Sequence, residues 1–337
     1  MTSRAFIAGC AGPNLSATER SFFRDAEPWG FILFARNIAD PDQVRALVAD
    51  LREAVGWTAP VLIDQEGGRV QRLRPPHWTD DPPAEAFGNL YLSNPIAALE
   101  AVRLNSRAIA ADLYALGIDV DCLPCADLRH PDGHGIIGNR AYGTEPVAVA
   151  ALARAAAVGL MEGGVLPVLK HIPGHGRAPV DSHEKLPVVT ATRGELEGMD
   201  FAAFRDLSDL PLGMTAHVVY SDIDPDRPAT TSPVVLAEVV RGSIGFDGLL
   251  MSDDLSMGAL AGTMETRARD ALAAGCDMLL HCNGKMEEME KVAASAPVLT
   301  GEAYARAAKA LSLRVVPDPV DARELRAAVA AQLKTVG

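Results

Sequence analysis

Cysteine is scarce in this chain of 337 residues, and basic residues are too few to balance the acidic ones. The five cysteines, an odd number, are scattered, which suits a reducing compartment better than a disulfide framework. Lys and Arg total 31 against 44 Asp and Glu, which gives a formal net charge of -13. Because a nucleic-acid groove needs clustered basic residues, no nucleic-acid partner is expected.

Long apolar runs are also missing. No stretch approaches the roughly 20 apolar residues of a membrane span, and residues 1–6 begin no signal peptide, so we expect a cytoplasmic protein without a membrane partner. The apolar fraction of 48% is ample for a large core. Neither an internal repeat nor a linker rich in Ser, Gly or Pro divides the chain.

Short apolar runs alternate with segments of helical composition. Strands are predicted at Ala5–Ala8, Gly30–Phe34, Pro60–Ile63, Ile118–Leu123, Val165–Leu169, Leu212–Ala216, Gly248–Met251 and Asp277–His281. Helices are predicted at Pro41–Val55, Pro95–Leu116, Pro146–Met161, Arg193–Leu207, Ser232–Arg241, Met264–Ala274 and Lys285–Ala294. This alternation predicts an α/β fold, a single (β/α)8 TIM-type barrel over residues 1–337. Residues 302–337 are predicted to form an appended tail whose helices pack outside the barrel.

Polar side chains follow the carboxyl ends of the predicted strands, which in a barrel form one face and carry the active site. They include Arg36, Asn37, Asp64, Gln65, Glu66, Asp127, Lys170, His171, His217, Asp253, Asp254 and Asn283. The segment after the fifth strand is the richest, because Lys170, His171 and His175 are soon followed by Asp181 and His183. Its glycines and prolines predict a loop, and its titratable groups indicate that a polar molecule is bound or transformed there.

Three other patterns were open to a different interpretation. Gly133–Gly138 spells G-x-G-x-x-G but opens no helix, so no dinucleotide cofactor is expected. Cys122 and Cys125 have C-x-x-C spacing without a second pair, and we expect buried strand residues. The histidine-rich loop leaves open a metal-dependent hydrolase of amide or ester bonds, with a metal held by His171, His175, Asp181 and His183.

Four segments, in order along the chain, resemble glycoside hydrolase family 3, in particular the bacterial cytoplasmic β-N-acetylhexosaminidases of cell-wall recycling. They are Asp64–Arg72, Gly138–Arg140, Lys170–His183 and Phe246–Met257, within a match from about Phe31 to Asn283. The resemblance implies a retaining exo-β-N-acetylglucosaminidase that needs no metal or cofactor. Its substrate would be a small carbohydrate or muropeptide, a terminal β-linked N-acetylglucosamine on a peptidoglycan fragment with a 1,6-anhydro-muramic acid end.

The resemblance also implies roles for individual residues. Asp253 would be the nucleophile that forms a covalent glycosyl-enzyme, while Asp254 points to the other side of the strand and is structural. His183, oriented by Asp181, would be the general acid/base, because an imidazole with a pKa near 6.5 can donate and recover a proton near neutral pH. Substrate binding would fall to Asp64, Arg72, Arg140, Lys170 and His171.

Some points stay open at this stage. A β-glucosidase, or a phosphorylase that transfers the sugar to phosphate, fits the same fold. Asn139 and Ala141 stand where relatives commonly have an acidic residue and a serine, which raises the question of how Arg140 is held.

The long connection 172–192 is expected to close over substrate, so that His183 can lie far from Asp253 in an unliganded structure. We expect a monomer, since no stripe or heptad suggests an interface.

Overall fold

The computed structural model describes residues 3–334, so the ends of the predicted domain, of its tail and of the amino-terminal segment 1–6 lie outside the described residues. The strands are β1 (Arg4–Gly9), β2 (Pro28–Leu33), β3 (Val61–Ile63), β4 (Val120–Asp121), β5 (Leu166–Ile172), β6 (Val188–Val189), β7 (Leu212–Thr215), β8 (Val219–Tyr220), β9 (Leu249–Asp254) and β10 (Met278–His281). Parallel pairing in the order β1-β2-β3-β4-β5-β7-β9-β10 closes a barrel, and β6 pairs with β8 separately. The predicted (β/α)8 fold is confirmed.

The helices surround this barrel. They are α1 (Ala17–Ala26), α2 (Pro41–Val55), α3 (Ala84–Ser93), α4 (Pro95–Ala115), α5 (Pro146–Glu162), α6 (Arg193–Gly198), α7 (Asp200–Arg205), α8 (Met264–Ala274), α9 (Met286–Ser295), α10 (Gly301–Leu311) and α11 (Ala322–Leu333). A π-helical segment covers Val235–Ser243. The single helix predicted over 193–207 is instead two, α6 and α7, which meet at Met199. Nowhere in residues 3–334 is a helix both long and apolar enough to span a membrane.

Side chains of the barrel strands alternate between two hydrophobic cores. In β9, Leu249 and Met251 face the barrel interior, whereas Leu250 packs against the surrounding helices. Because successive side chains on a strand point to opposite faces, the next inward position after Met251 is Asp253. The strand period thus directs Asp253 toward the barrel axis, just beyond the apolar filling.

Two other strands deliver polar groups to the same end in the same way. Leu62 and Val168 belong to the interior core. Two residues further along each chain stand Asp64 and Lys170, again at inward positions. The apolar layers end at these residues, so the carboxyl end of the barrel presents a polar floor.

The opposite end of the barrel is closed by the carboxyl-terminal part of the chain. Ala307 and Ala310 of α10 join the interior core. Helix α11 packs outside, on α4, where Arg326 forms hydrogen bonds of 2.7 and 2.9 Å with Asp81 and one of 2.8 Å with Asp112. Helix α10 thus covers the apolar filling at the end of the barrel opposite the polar floor.

Candidate active site

A cleft of about 380 Å³ lies at the carboxyl end of the barrel strands. Among its lining residues are Asp64, Arg72, Arg140, Lys170, His171, His183 and Asp253. Asp181 lies behind His183, whose Nδ1 is 2.7 Å from the Asp181 Oδ1. The structure thus brings together all the residues predicted as a site. Sequence reasoning missed the apolar part of the wall, which includes Phe34, Ile136, Met214 and Met257.

A buried ion network forms the floor of the cleft around Lys170. The Lys170 Nζ is 2.9 Å from Oδ1 of Asp64 and 2.6 Å from Oε1 of Glu66. Arg72 pairs with the other oxygen of Asp64 at 3.0 Å, and Arg140 donates two hydrogen bonds to Glu66, of 2.8 and 2.9 Å. The Lys170 side chain is only 2% exposed. Two carboxylates therefore fix the three cations in place.

Charge compensation within this network sets its protonation. Burial alone would raise the pKa of Asp64 and of Glu66. Lys170 and Arg72 nevertheless hold the pKa of Asp64 well below its ordinary value, and Arg140 with Lys170 lowers the pKa of Glu66 to about 2. The carboxylates in turn raise the pKa of Lys170, against the effect of burial. Both acids and the lysine are therefore charged near neutral pH.

Arg140 is held in place although its two neighbours in sequence are neutral. Glu66 supplies the carboxylate, which the Arg140 guanidinium meets with two nitrogens. The Arg140 Nη1 also donates to the Ile136 carbonyl at 3.4 Å. Asn139 and Ala141 therefore need not contribute charge, and the question raised by the sequence has its answer in Glu66.

The segment 133–138 contributes Ile136 to the lining of the cleft. A one-turn 3₁₀ helix, Gly138–Arg140, follows it. The Arg69 Nη2 donates to three consecutive carbonyls of this segment, those of Gly135 (2.8 Å), Ile136 and Ile137 (3.2 Å). Arg69 thus supports the fold of this segment, and it also lines the cleft.

Asp127 orients the ring of His171. Its carboxylate is completely buried and accepts from the His171 Nδ1 and from the His175 backbone amide, each at 2.6 Å. Burial would raise the pKa of Asp127, but His171 and His175 lower it well below the ordinary range. Because the carboxylate can only accept, Nδ1 of His171 carries a hydrogen and Nε2 is left for the cleft.

The adjacent aspartates at the end of β9 have different surroundings. Asp254 accepts hydrogen bonds from the backbone amides of Ser256 (3.0 Å) and Cys282 (3.1 Å), and from the Ser256 hydroxyl at 2.6 Å. These contacts suit the structural role predicted for Asp254, although Asp254 also lines the cleft. Asp253 lines the cleft and accepts from the Asp254 amide at 2.8 Å. Burial would raise the pKa of Asp253, yet nearby His217 and His171 outweigh it and the pKa is lowered.

A chain of hydrogen bonds fixes the backbone of this aspartate pair. Burial lowers the pKa of His217. Its neutral ring donates from Nε2 to the Asp254 carbonyl at 3.0 Å and accepts at Nδ1 from the Thr230 hydroxyl at 2.7 Å. The Thr230 hydroxyl also meets that of Thr215 at 2.8 Å, which accepts from the Asp253 amide at 3.3 Å. His217 thus braces the strand end.

His183 and Asp181 form a close pair in the long loop. Both the amide and Nδ1 of His183 approach Oδ1 of Asp181, at 2.9 and 2.7 Å. Burial would raise the pKa of Asp181, but these hydrogen bonds lower it. His183 and Asp253 both line the cleft.

The metal set considered from the sequence is not assembled. Nδ1 of His171 is engaged by Asp127, and Nε2 of His175 lies 2.9 Å from the Ser182 hydroxyl. Within residues 3–334, the potential metal-ligating atoms that cluster are those of Cys125, Asp127 and His171, all buried. Cys122 is buried as well, as predicted.

A parallel barrel whose open end gathers carboxylates, imidazoles and guanidinium donors in one small cleft defines a barrel enzyme for a polar, hydroxyl-rich substrate. The family model of the glycosyl hydrolase family 3 N terminal domain matches residues 7–313. The chain belongs to glycosyl hydrolase family 3 and is a glycoside hydrolase.

Individual relatives agree with the family. A beta-hexosaminidase of Bordetella avium (strain 197N) is 40% identical over 277 residues, which are 81% of this chain and 79% of that protein. One from Alkalilimnicola ehrlichii is 41% identical over 284 residues, 82% of this chain and 80% of its own. The crystal structure of NagZ from Neisseria gonorrhoeae in complex with N-trifluoroacetyl-D-glucosamine is similar over 100% of this chain and 99% of its own, with a TM-score of 0.88 and 31% identity.

Proposed function

We propose that this glycoside hydrolase is a retaining exo-β-N-acetylglucosaminidase. It removes terminal β-linked N-acetylglucosamine from peptidoglycan fragments that end in 1,6-anhydro-N-acetylmuramic acid. The observation that carries the proposal is the placement of Asp253 and His183 in one cleft above a fixed cluster of polar groups. A similar protein that holds N-trifluoroacetyl-D-glucosamine supports a 2-acylamino sugar. The peptidoglycan substrate follows the resemblance of the sequence motifs, and the cytoplasmic location and monomeric state are kept as the expectations drawn from the sequence.

In the first chemical step the Asp253 carboxylate attacks the anomeric carbon of the sugar. His183 gives its Nε2 proton to the glycosidic oxygen as the bond between that oxygen and the anomeric carbon breaks, so the leaving group departs as a neutral alcohol. Asp181 holds Nδ1 of His183 and stabilises the ring in the required orientation. The product is a covalent glycosyl-enzyme on Asp253 with an inverted anomeric centre.

In the second step a water molecule attacks the same carbon from the face that the leaving group vacated. His183 takes a proton from this water while the bond to Asp253 breaks. The second inversion restores the β configuration, and both side chains return to their initial protonation states. The two steps together consume one water molecule, and every proton transferred moves between His183, the leaving group and that water.

The floor of the cleft supports an exo mode of action. Asp64 accepts from sugar hydroxyls, while Arg72, Arg140 and Lys170 donate to hydroxyl or carbonyl oxygens. Because the buried ion pairs of Lys170 with Asp64 and Glu66 close the floor of the cleft, its closed end suits a terminal sugar unit.

Hydrolysis of 4-nitrophenyl β-glycosides tests the proposal. We expect release from the N-acetylglucosamine glycoside, little from the glucoside, and no effect of excess EDTA or of added phosphate. Asp253→Asn should lower kcat by roughly 10³-fold or more, because the nucleophile is removed with little change of shape. Asp42→Asn, at a side chain that is 91% exposed, is the matched control.

Other outcomes would contradict the proposal. Loss of activity in EDTA would favour the metal-dependent hydrolase, and equal turnover of the glucoside would favour a β-glucosidase. A rate that depends on phosphate, with a sugar 1-phosphate as product, would identify a phosphorylase. Full activity of Asp253→Asn would remove Asp253 from the mechanism.

A further inference from the structure

The proposed acid/base pair has few fixed contacts of its own. The His183 side chain is 61% exposed, and in the part of the chain that the structure describes its ring hydrogen-bonds only to Asp181, two residues earlier. The two side chains can therefore move together as a unit. Proton transfer to the glycosidic oxygen requires that this unit lie at a defined distance from Asp253. Something outside the pair has to set that distance.

One anchor is the loop that follows β9. The Gly258 amide donates to the His183 carbonyl at 3.0 Å, and the Ala259 amide donates to the Ser182 carbonyl at 3.2 Å. A Cβ added at Gly258 would lie 2.6 Å from the Glu184 carbonyl oxygen and 2.9 Å from that of His183. Both are backbone atoms that cannot turn away. Only glycine at 258 therefore allows the loop to sit this close to the strand that carries Asp253.

A second anchor lies beneath the pair. Ser182, between Asp181 and His183, is 2% exposed, and its hydroxyl is 2.9 Å from Nε2 of His175. His175 is itself 3% exposed, and its backbone amide donates to the buried carboxylate of Asp127 at 2.6 Å. The Ser182 side chain thus connects the pair to a buried histidine three residues after the end of β5, whose backbone is held by Asp127.

We propose that Gly258, Ser182 and His175 are positioning residues that hold the Asp181–His183 pair over the cleft, a role that rests on the proposed function. None of the three donates a proton to substrate. Gly258 allows the close backbone contact that holds the loop against the segment after β9. The hydrogen bond between Ser182 and His175 holds the loop against the segment after β5. Loosening either anchor leaves Asp253 and the sugar-binding floor unchanged but moves the acid away from the glycosidic oxygen.

This role has a kinetic signature that a purely structural role lacks. For a 2,4-dinitrophenyl leaving group the first step needs no protonation, because the phenolate is stable in water. For a sugar leaving group the first step depends on the acid, which contributes typically 10²- to 10⁴-fold. Because kcat/KM reports the steps up to the first irreversible one, misplacing His183 lowers kcat/KM selectively for the poor leaving group.

The test compares kcat/KM of the full chain for the 2,4-dinitrophenyl glycoside of N-acetylglucosamine and for N,N′-diacetylchitobiose. His183→Ala comes first, and a selective loss on the disaccharide establishes the acid itself. Gly258→Ala and Ser182→Ala should then each lose roughly tenfold or more on the disaccharide and less than about twofold on the activated substrate. Gly194→Ala, at an exposed glycine with nothing within 4 Å of an added Cβ, should change neither.

The outcomes separate the two proposals. If His183→Ala lowers kcat/KM equally for both substrates, the proposed function fails. If His183→Ala lowers kcat/KM selectively for the disaccharide, the proposed function stands. The positioning role is overturned if Gly258→Ala and Ser182→Ala lower kcat/KM equally for both substrates, or change it for neither. Thermal unfolding of each variant accompanies the kinetics, and a large fall in melting temperature together with equal losses assigns the residues to fold stability alone.

Discussion

Replacing Glu66 with glutamine removes the charge that links Lys170 to Arg140. In the native protein one Glu66 oxygen meets the Lys170 Nζ at 2.6 Å, and both oxygens accept from Arg140. Glutamine has nearly the same shape but only one acceptor oxygen, and its amide nitrogen would face a cation. Because the three cations Lys170, Arg72 and Arg140 would then be left with Asp64 as the one carboxylate of the network, we expect Glu66→Gln to lower the free energy of unfolding by roughly 3 to 5 kcal/mol.

The pKa of Glu66 gives an independent magnitude. Its cationic neighbours, outweighing burial, lower this pKa from an ordinary 4.5 to about 2, and linkage converts the difference to about 3 kcal/mol. A carboxyl whose pKa is depressed in the folded state stabilises the protein above its unfolded pKa. That stability is lost as the pH falls through the folded value. The difference between wild type and variant should therefore be full above about pH 5 and shrink toward pH 2.

Urea unfolding of both proteins from pH 7 downward measures this difference. Glu287→Gln is the matched control, because the Glu287 side chain is 83% exposed and pairs with Lys291 at the surface. It should change the free energy of unfolding by less than about 1 kcal/mol. A Glu66→Gln effect as small as that of the control, or one that does not vary with pH, would refute the reasoning about the buried network.

Three further predictions concern other groups near the cleft. Asp127→Asn should raise KM roughly tenfold or more in steady-state kinetics, since it weakens the charge-assisted hydrogen bond that orients His171; an unchanged KM would contradict this. Thr230→Val should lower kcat and should lower the free energy of unfolding in urea by about 1 to 3 kcal/mol, because it leaves the buried Nδ1 of His217 without a donor. The control Thr231→Val should change neither quantity. The five cysteines are all buried, and burial raises the pKa of Cys10 to about 12, so a thiol reagent should react slowly with the native protein and with all five only after unfolding.

Much of the barrel was predictable because its strands are continuous apolar runs between helical segments. Boundaries were less accurate. The strand predicted at Ile118–Leu123 is reduced to Val120–Asp121, and Pro124 soon after it has no amide to extend a ladder. The strand predicted to end at Leu169 continues to Ile172, through the polar residues of the site. The last part of this strand contains polar residues that line the cleft, so a pattern of apolar residues could not show the extension.

Two helices escaped the sequence analysis for different reasons. Helix α1 is short and polar, with the sequence ATERSFFRDA, so it has few apolar residues to mark it. A usable signal existed, since Ser16 and Glu19 form a capping box at its start. Helix α3 begins after Pro83 without a side-chain cap, and it offered no comparable signal.

The candidate site was likewise predictable only in part. Motifs supplied the residues that face the cleft, but the partners that orient them come from distant parts of the chain. Glu66 and Arg140 are 74 residues apart, and Asp127 and His171 are 44 apart. Sequence spacing cannot reveal such pairs, because only closure of the barrel brings the strand ends together. The contact of Gly258 with the His183 loop belongs to this group as well.

In the proposed mechanism Asp253 attacks the sugar and His183 serves both steps. The most direct test is to incubate His183→Ala with the 2,4-dinitrophenyl glycoside of N-acetylglucosamine and to analyse the digested protein by mass spectrometry. Without a base to activate water, the intermediate should accumulate, and one N-acetylglucosaminyl group should be found on the peptide at Asp253. A group attached to a different residue, or turnover with no covalent adduct at any time, would contradict the account.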